Sequence, residues 1–241
     1  MRKLFYILSL ALALFPLLKL NHYSIVMIVW FVCAIFMTVK TKSYKTIDLK
    51  IEKKYVVLIL PFVFYLASFP FVEDTKELGK IITKTLPLFV IPIGFLFTKK
   101  IFSHKFISEF CQLFVASTIL INIIGWIAVF REGFFDVWNT NSFYHPMFRT
   151  IFSETTQLHI PYLGMLSTFS VLLLIWKVMQ TNKNTLINIF SSIFLLLSMY
   201  IYSARMALII GIIGITLIFI KSVKSNLMKF ALLVAIPLVS I

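Results

Sequence analysis

A chain of 241 residues that is 60% hydrophobic, 16% aromatic and only 13% charged lies far from soluble composition and predicts an integral membrane protein. The formal charge of +14 comes from lysines and arginines placed in short segments between apolar runs. A nucleic-acid binder needs them clustered on a folded polar surface, so that class is excluded. Cys33 and Cys111 sit inside apolar runs, with no CxxC and no histidine at ligand spacing. They predict packing residues, with no disulfide framework, no metal site and no cofactor.

A helix needs roughly 20 apolar residues to cross a hydrocarbon core about 30 Å thick. Nine windows qualify as candidates: 4–18, 23–39, 55–72, 78–97, 106–130, 160–176, 186–202, 206–220 and 230–241. The expected fold is all-α, a polytopic helical membrane protein with about 8–9 transmembrane helices in a single domain over 1–241. Arg2, Lys3, Ala11 and Ala13 resemble parts of a signal peptide. The apolar character nevertheless runs on to Leu18 and a second window follows, so an uncleaved first span is expected. The last window is twelve residues long and ends at Ile241 without a polar tail, which predicts a chain truncated within a span.

Orientation follows from the basic residues. With the N-terminus in the cytoplasm, the segments 2–3, 40–54, 98–105, 177–184 and 221–229 lie inside and hold 16 of the 23 basic residues. The other face keeps Lys19, Lys76, Lys80, Lys84, Arg131, Arg149 and Arg205. This count sends the longest polar interruption, 131–159, to the outer face together with Arg205. No fixed-period repeat and no Gly/Ser linker is visible. In the fourth window Pro87 and Pro92, with Gly94, predict a kink or a broken helix, because each proline removes a backbone donor and crowds the turn before it. No GxxxG falls within a span, which argues against specialised helix packing.

The polar residues that could act on a substrate are concentrated on that outer face. Arg205 follows Tyr202, Ser203 and Ala204 between two apolar runs with almost no loop. A tight turn fixes the depth of its planar fork, which suits a phosphate; an interfacial anchor is the plain alternative. Lys76, Lys80 and Lys84 recur every fourth residue on one helix face. Lys84 would lie about 9 Å deeper than Leu78 at the helical rise, so it must snorkel or face a wet cavity that attracts an anionic headgroup. The 131–159 loop interleaves Phe134, Phe135, Trp138, Phe143, Tyr144, Phe148 and Phe152 with polar residues. Such rings suit either a segment lying flat on the bilayer or platforms for sugar faces. Its imidazoles and carboxylates, His145, His159, Asp136 and Glu154, suit acid–base work or structural hydrogen bonding. Glu109, beside Gln112, reads as interfacial.

Residues 149–166, RTIFSETTQLHIPYLGML, resemble the bacterial O-antigen ligase and O-antigen polymerase family. That family commonly shows an arginine, a short polar stretch and a His-Pro-Thr-Tyr or Asn-Pro-like segment opening a helix. Arg149, His159, Pro161 and Tyr162 match, with Ile160 inserted between histidine and proline and the usual threonine missing. A second likeness is SARMAL at 203–208, similar to the family's Ser-Arg-x-x-Leu turn between two spans, again with one residue inserted. The resemblance covers the chain in layout and these two motifs in residues.

It implies a GT-C-like architecture in the bacterial inner membrane and metal-independent glycosyl transfer on the periplasmic face. The implied donor is an oligosaccharide on undecaprenyl diphosphate, and the acceptor a hydroxyl of lipid A-core or of another lipid-linked glycan. Arg205, Arg149, Lys84 and Lys80 are the cations expected to hold the diphosphate. The base is expected beyond residue 241, with His159 and Glu154 as weaker candidates, so that residues 1–241 alone are expected to be inactive. Two other classes compete: a transporter or flippase of a lipid-linked or anionic solute, which intramembrane lysines and kinked helices would also suit, and an assembly protein with the loop as docking surface.

Overall fold

The structure, a computed structural model, describes residues 2–18, 20–41, 53–68, 71, 79, 81–82, 85–98, 102–132, 146–180 and 184–222. The described residues are helical, with no strand among them. In chain order the helices are α1 Arg2–Ala11, followed by a 3-10 segment Leu12–Leu17, then α2 Leu20–Thr41, α3 Lys53–Ala67, α4 Pro87–Thr98, α5 His104–Arg131, α6 Pro146–Thr156, α7 Ile160–Gln180, α8 Thr185–Ile201 and α9 Arg205–Ser222. Three stretches are long and apolar enough to cross a membrane: His22–Thr41, His104–Arg131 and Ile160–Gln180. The final window, 230–241, lies outside the described residues. The chain divides into two compact units, one of residues 1–13 and 18–110, the other of 14–17 and 111–241.

In the first unit α2 packs on α1 and α4, and α3 packs on α4. Its centre is aromatic. Trp30 is fully buried, stacks on Phe5 at 6.1 Å and tilts against Phe95 at 5.1 Å between centroids. Its indole N–H donates to Ser9 Oγ at 2.8 Å, and the Ser9 hydroxyl donates to the Phe5 carbonyl at 2.7 Å. The polar atom of the largest buried ring is thus satisfied without water. Gly94 faces the Trp30 ring so closely that a Cβ there would overlap it. Glu109 accepts the Tyr6 hydroxyl and lies 3.8 Å from Lys105 one helical turn earlier.

The expected kink in the fourth window takes a different form. Thr85 is helical and its hydroxyl turns back to the carbonyls of Ile81 and Ile82 at 2.9 and 3.2 Å. Leu86 is a turn residue whose carbonyl accepts from both Phe89 and Val90. Pro87 therefore opens α4 at the position where a helix has no use for an N–H, so it starts a helix and does not bend one.

In the second unit α7 is central, packed on α8, α9 and α6. The α7–α9 contact is a seam of small residues. A Cβ at Gly164 would come within 2.6 Å of Ala204 Cβ and 2.8 Å of Ala207 Cβ. Further along, Thr168 donates to the Ala207 carbonyl at 2.8 Å and meets the space beside Gly211, and Leu172 presses on Gly214. The order 164, 168, 172 against 204–207, 211, 214 means that α7 and α9 run parallel. The seam corrects the inference from missing GxxxG: Gly164-x-x-x-Thr168 and Ala207-x-x-x-Gly211 are small-residue pairs of the same spacing.

This packing has a direct check. Gly164→Ala should destabilise the protein by about 1–3 kcal/mol, as overpacking does. Gly211→Ala, whose added Cβ would meet only ordinary contacts at 3.6 Å, should be neutral or mildly stabilising through helix propensity. Thermal unfolding of both variants in the same detergent reads the difference; equal melting temperatures would contradict the seam.

Candidate functional site

The sequence pattern of α6 explains why a helix stands where a loop was expected. Phe148, Ile151, Phe152 and Thr156 are buried, whereas Arg149, Thr150, Glu154 and Thr155 are exposed. Buried positions at i, i+3, i+4 and i+8 make one stripe of an amphipathic helix. Phe148 and Phe152 are thus core residues of the second unit, and the reading of them as part of a loop flat on the bilayer is corrected. Phe152 fills the space that the missing side chain of Gly125 leaves and meets Trp126 edge-on at 5.9 Å.

Three residues connect α6 to α7. The Thr156 hydroxyl donates to the Phe152 carbonyl at 2.6 Å and accepts from the Leu158 N–H at 3.3 Å. Gln157 takes the left-handed conformation at φ 55°, ending α6. His159 then caps α7: its carbonyl accepts from Tyr162 and Leu163 at 2.9 and 3.1 Å. Ile160 is buried and Pro161 lies in the first turn, where no backbone donor is needed. Ile160 therefore supplies the apolar contact at the start of α7, and Pro161 beside it is exposed. The His159 and Tyr162 rings are both exposed and stand edge to face at 6.1 Å.

Arg149, Thr150, Ser153 and Glu154 of α6, with His159 and Ile160, line an open recess of about 250 Å³. Arg149 has no carboxylate partner within salt-bridge distance among the described residues.

Arg205 belongs to the neighbouring turn. The end of α8 closes with the Ser203 N–H on the Tyr200 carbonyl at 3.1 Å and the Ala204 N–H on the Met199 carbonyl at 2.9 Å. Ser203 takes φ 63°. This is a Schellman closure, which consumes terminal carbonyls of α8. Ala204 at once becomes the cap of α9, its carbonyl accepting from Leu208 at 3.0 Å. Arg205 is thus the first residue of α9, and its side chain is exposed.

Because α7 and α9 are parallel, their N-termini open at the same end of the second unit. Gly164, against which Ala204 packs, stands about 7.5 Å along α7 from His159 at the helical rise. A second link joins the arginine-bearing segments: the Phe152 and Tyr202 rings tilt together at 5.0 Å, each three residues from its arginine. Neither α7 nor α9 has an acidic residue in its first turn, and a helix N-terminus is the positive end of its dipole. A guanidinium at the start of α9 lies at the unfavourable end of that dipole, and an anion beside it relieves both charges.

Comparison of the chain with models of protein families, with curated proteins and with solved structures returns no match.

Of the sequence-derived candidates, the structure gathers Arg149, Glu154 and His159 at one recess and sets Arg205 on the adjoining turn. Arg205 is not part of the recess lining. Arg131 and Glu132 are exposed at the end of α5. Lys80, Lys84, Asp136 and His145 lie outside the described residues, as do Phe134, Phe135, Trp138, Phe143 and Tyr144. Sequence reasoning missed Ser153, Ser167 and the ring pair Phe152–Tyr202; the i, i+3, i+4 spacing from Phe148 to Phe152 was the available signal.

The Ser203 conformation gives a second test. A left-handed residue with a side chain costs on the order of 1 kcal/mol, and a β-branched one costs more. Stability on thermal unfolding should rank Ser203→Gly at or above the parent and Ser203→Val clearly below it. A valine variant as stable as the glycine variant would contradict the turn geometry.

Proposed function

We propose that this is a multi-pass membrane protein of about 8–9 spans, GT-C-like, that holds a polyprenyl diphosphate-linked oligosaccharide at the end of its second unit and serves glycan transfer from it. By resemblance the donor is an undecaprenyl-diphosphate-linked glycan, the acceptor a hydroxyl of lipid A-core or of another lipid-linked glycan, and the setting the outer face of the bacterial inner membrane with the N-terminus in the cytoplasm. The observation that supports this best is the convergence, at one end of the unit, of Arg149, His159, Arg205 and the two N-termini of α7 and α9. Among the described residues that end also carries the Glu154 carboxylate in the recess.

The reaction asks little of the protein beyond this. The acceptor oxygen attacks the anomeric carbon as the bond from that carbon to the phosphate oxygen breaks, and the diphosphate leaves with the electron pair. Placing the acceptor and neutralising the charge that builds on the leaving group are the main tasks. Arg205 and Arg149 neutralise the diphosphate oxygens through paired N–H donors. The acceptor's proton needs a base, and His159 and Glu154 are the groups this end of the unit offers for it. Lys80 and Lys84, the other cations expected from the sequence to hold the diphosphate, lie outside the described residues.

Arg205→Ala and Arg149→Ala should each weaken binding of undecaprenyl diphosphate to the protein in nanodiscs by about tenfold or more, as loss of a charge-assisted pair does. Arg205→Lys should fail to restore most of it, since an ammonium lacks the planar fork. In cells carrying the gene, Arg205→Ala should abolish the surface glycan, and a wild-type glycan profile would overturn the clamp. Movement of a labelled carrier lipid across proteoliposomes without covalent transfer would favour a transporter instead.

A further inference from the structure

Tyr202 is the residue through which the two arginine-bearing segments are joined. It is fully buried at the end of α8. Its ring lies against Phe152, one helical turn after Arg149 on α6. Its hydroxyl lies 3.1 Å from Ser167 Oγ on α7, and Ser167 accepts from Asn122 Nδ2 on α5 at 3.1 Å. Asn122 spends its other N–H on the Thr118 carbonyl at 2.8 Å. Three helices therefore fix one side chain. Between Tyr202 and Arg205 the chain has little freedom, because Ser203 is the left-handed closing residue of α8 and Ala204 both ends that closure and caps α9.

The hydroxyl is not needed for packing. A phenylalanine would fill the same space, and the hydrogen-bonded chain leaves Asn122 Oδ1 buried without a hydrogen-bond partner, which is a cost. A polar chain retained at a cost fixes geometry, and the geometry here is the placement of the two arginines.

Building on the diphosphate reading, we propose that Tyr202, locked by Ser167 and Asn122, is the positioning residue that sets the placement of Arg205 relative to Arg149 and so selects a two-phosphate headgroup over a one-phosphate headgroup. Two guanidinium groups at one end of the unit would engage two phosphates together. A single phosphate engages one of them and gains nothing from their spacing.

The test uses residues 1–241 in nanodiscs with two probes, farnesyl diphosphate and farnesyl monophosphate, and melting temperatures taken so that affinities are read on folded protein. The parent should prefer the diphosphate. Tyr202→Phe should lower diphosphate affinity about fivefold, the equivalent of one buried hydrogen bond, and leave monophosphate affinity within about twofold, where a purely structural role would lower both alike. Ser167→Ala keeps the tyrosine and removes its partner; it should give the same collapse of preference, and the double variant should add nothing further. Ser170→Ala, at an equally buried α7 serine without a partner, should leave the preference intact. Folded Tyr202→Phe or Ser167→Ala protein with the parent's preference would overturn the proposal. A parent protein that binds neither probe would overturn the diphosphate reading itself, and this inference with it.

Discussion

The close parallel approach of α7 and α9 is the constraint on which the second unit depends. It exists because Gly164 presents no side chain to Ala204 and Ala207. Two helices joined by an intervening antiparallel one, α8, are thereby brought side by side, pointing the same way. From that follows everything of functional interest: two helix N-termini at one end, His159 capping one and Ala204 the other, and Arg205 as the first residue beyond the second cap. A helix pair held further apart by a larger residue at 164 would keep its apolar surface and lose this coincidence.

Around the seam, the interior of the unit contains more polarity than its composition suggests. Trp126 donates to Ser198 at 2.8 Å, Thr168 to the Ala207 carbonyl, and Asn122 to Ser167. In a lipid setting the hydrophobic effect does not press helices together, so close packing and interhelical hydrogen bonds carry the association. Each of these bonds ties a different pair of helices.

Much of this was legible in the chain. Apolar windows at 23–39, 106–130, 160–176 and 186–202 correspond to α2, α5, α7 and α8, because a backbone in an apolar setting must satisfy its own hydrogen bonds and does so as helix. The turn at Ser203 was expected from two apolar runs meeting with almost no residues between them. What was not legible has physical reasons. The helix α6 lay hidden inside a stretch counted as polar, since its buried stripe of Phe148, Ile151 and Phe152 alternates with Arg149, Thr150, Ser153 and Glu154. The seam escaped a search for paired glycines because alanine and threonine supply its other small faces. Pro87, with Pro92 and Gly94, left a kink and a broken helix both open; Leu86 is a turn residue whose carbonyl caps the helix that Pro87 opens. The span count already put Arg149 and Arg205 on one face; the close approach of their helices at Gly164 was not legible from the local pattern around either arginine.

Arg149 and Arg205 stand at one end of the unit, with the other end of α7 opposite. Single cysteines placed at Thr150, Met206 and Lys177, in a background without Cys33 and Cys111, test this most directly by reaction with an impermeant maleimide in sealed vesicles of known orientation. Positions 150 and 206 should label from the same face and 177 from the other. Labelling of 150 and 206 from opposite faces, or of all three from one, would contradict it.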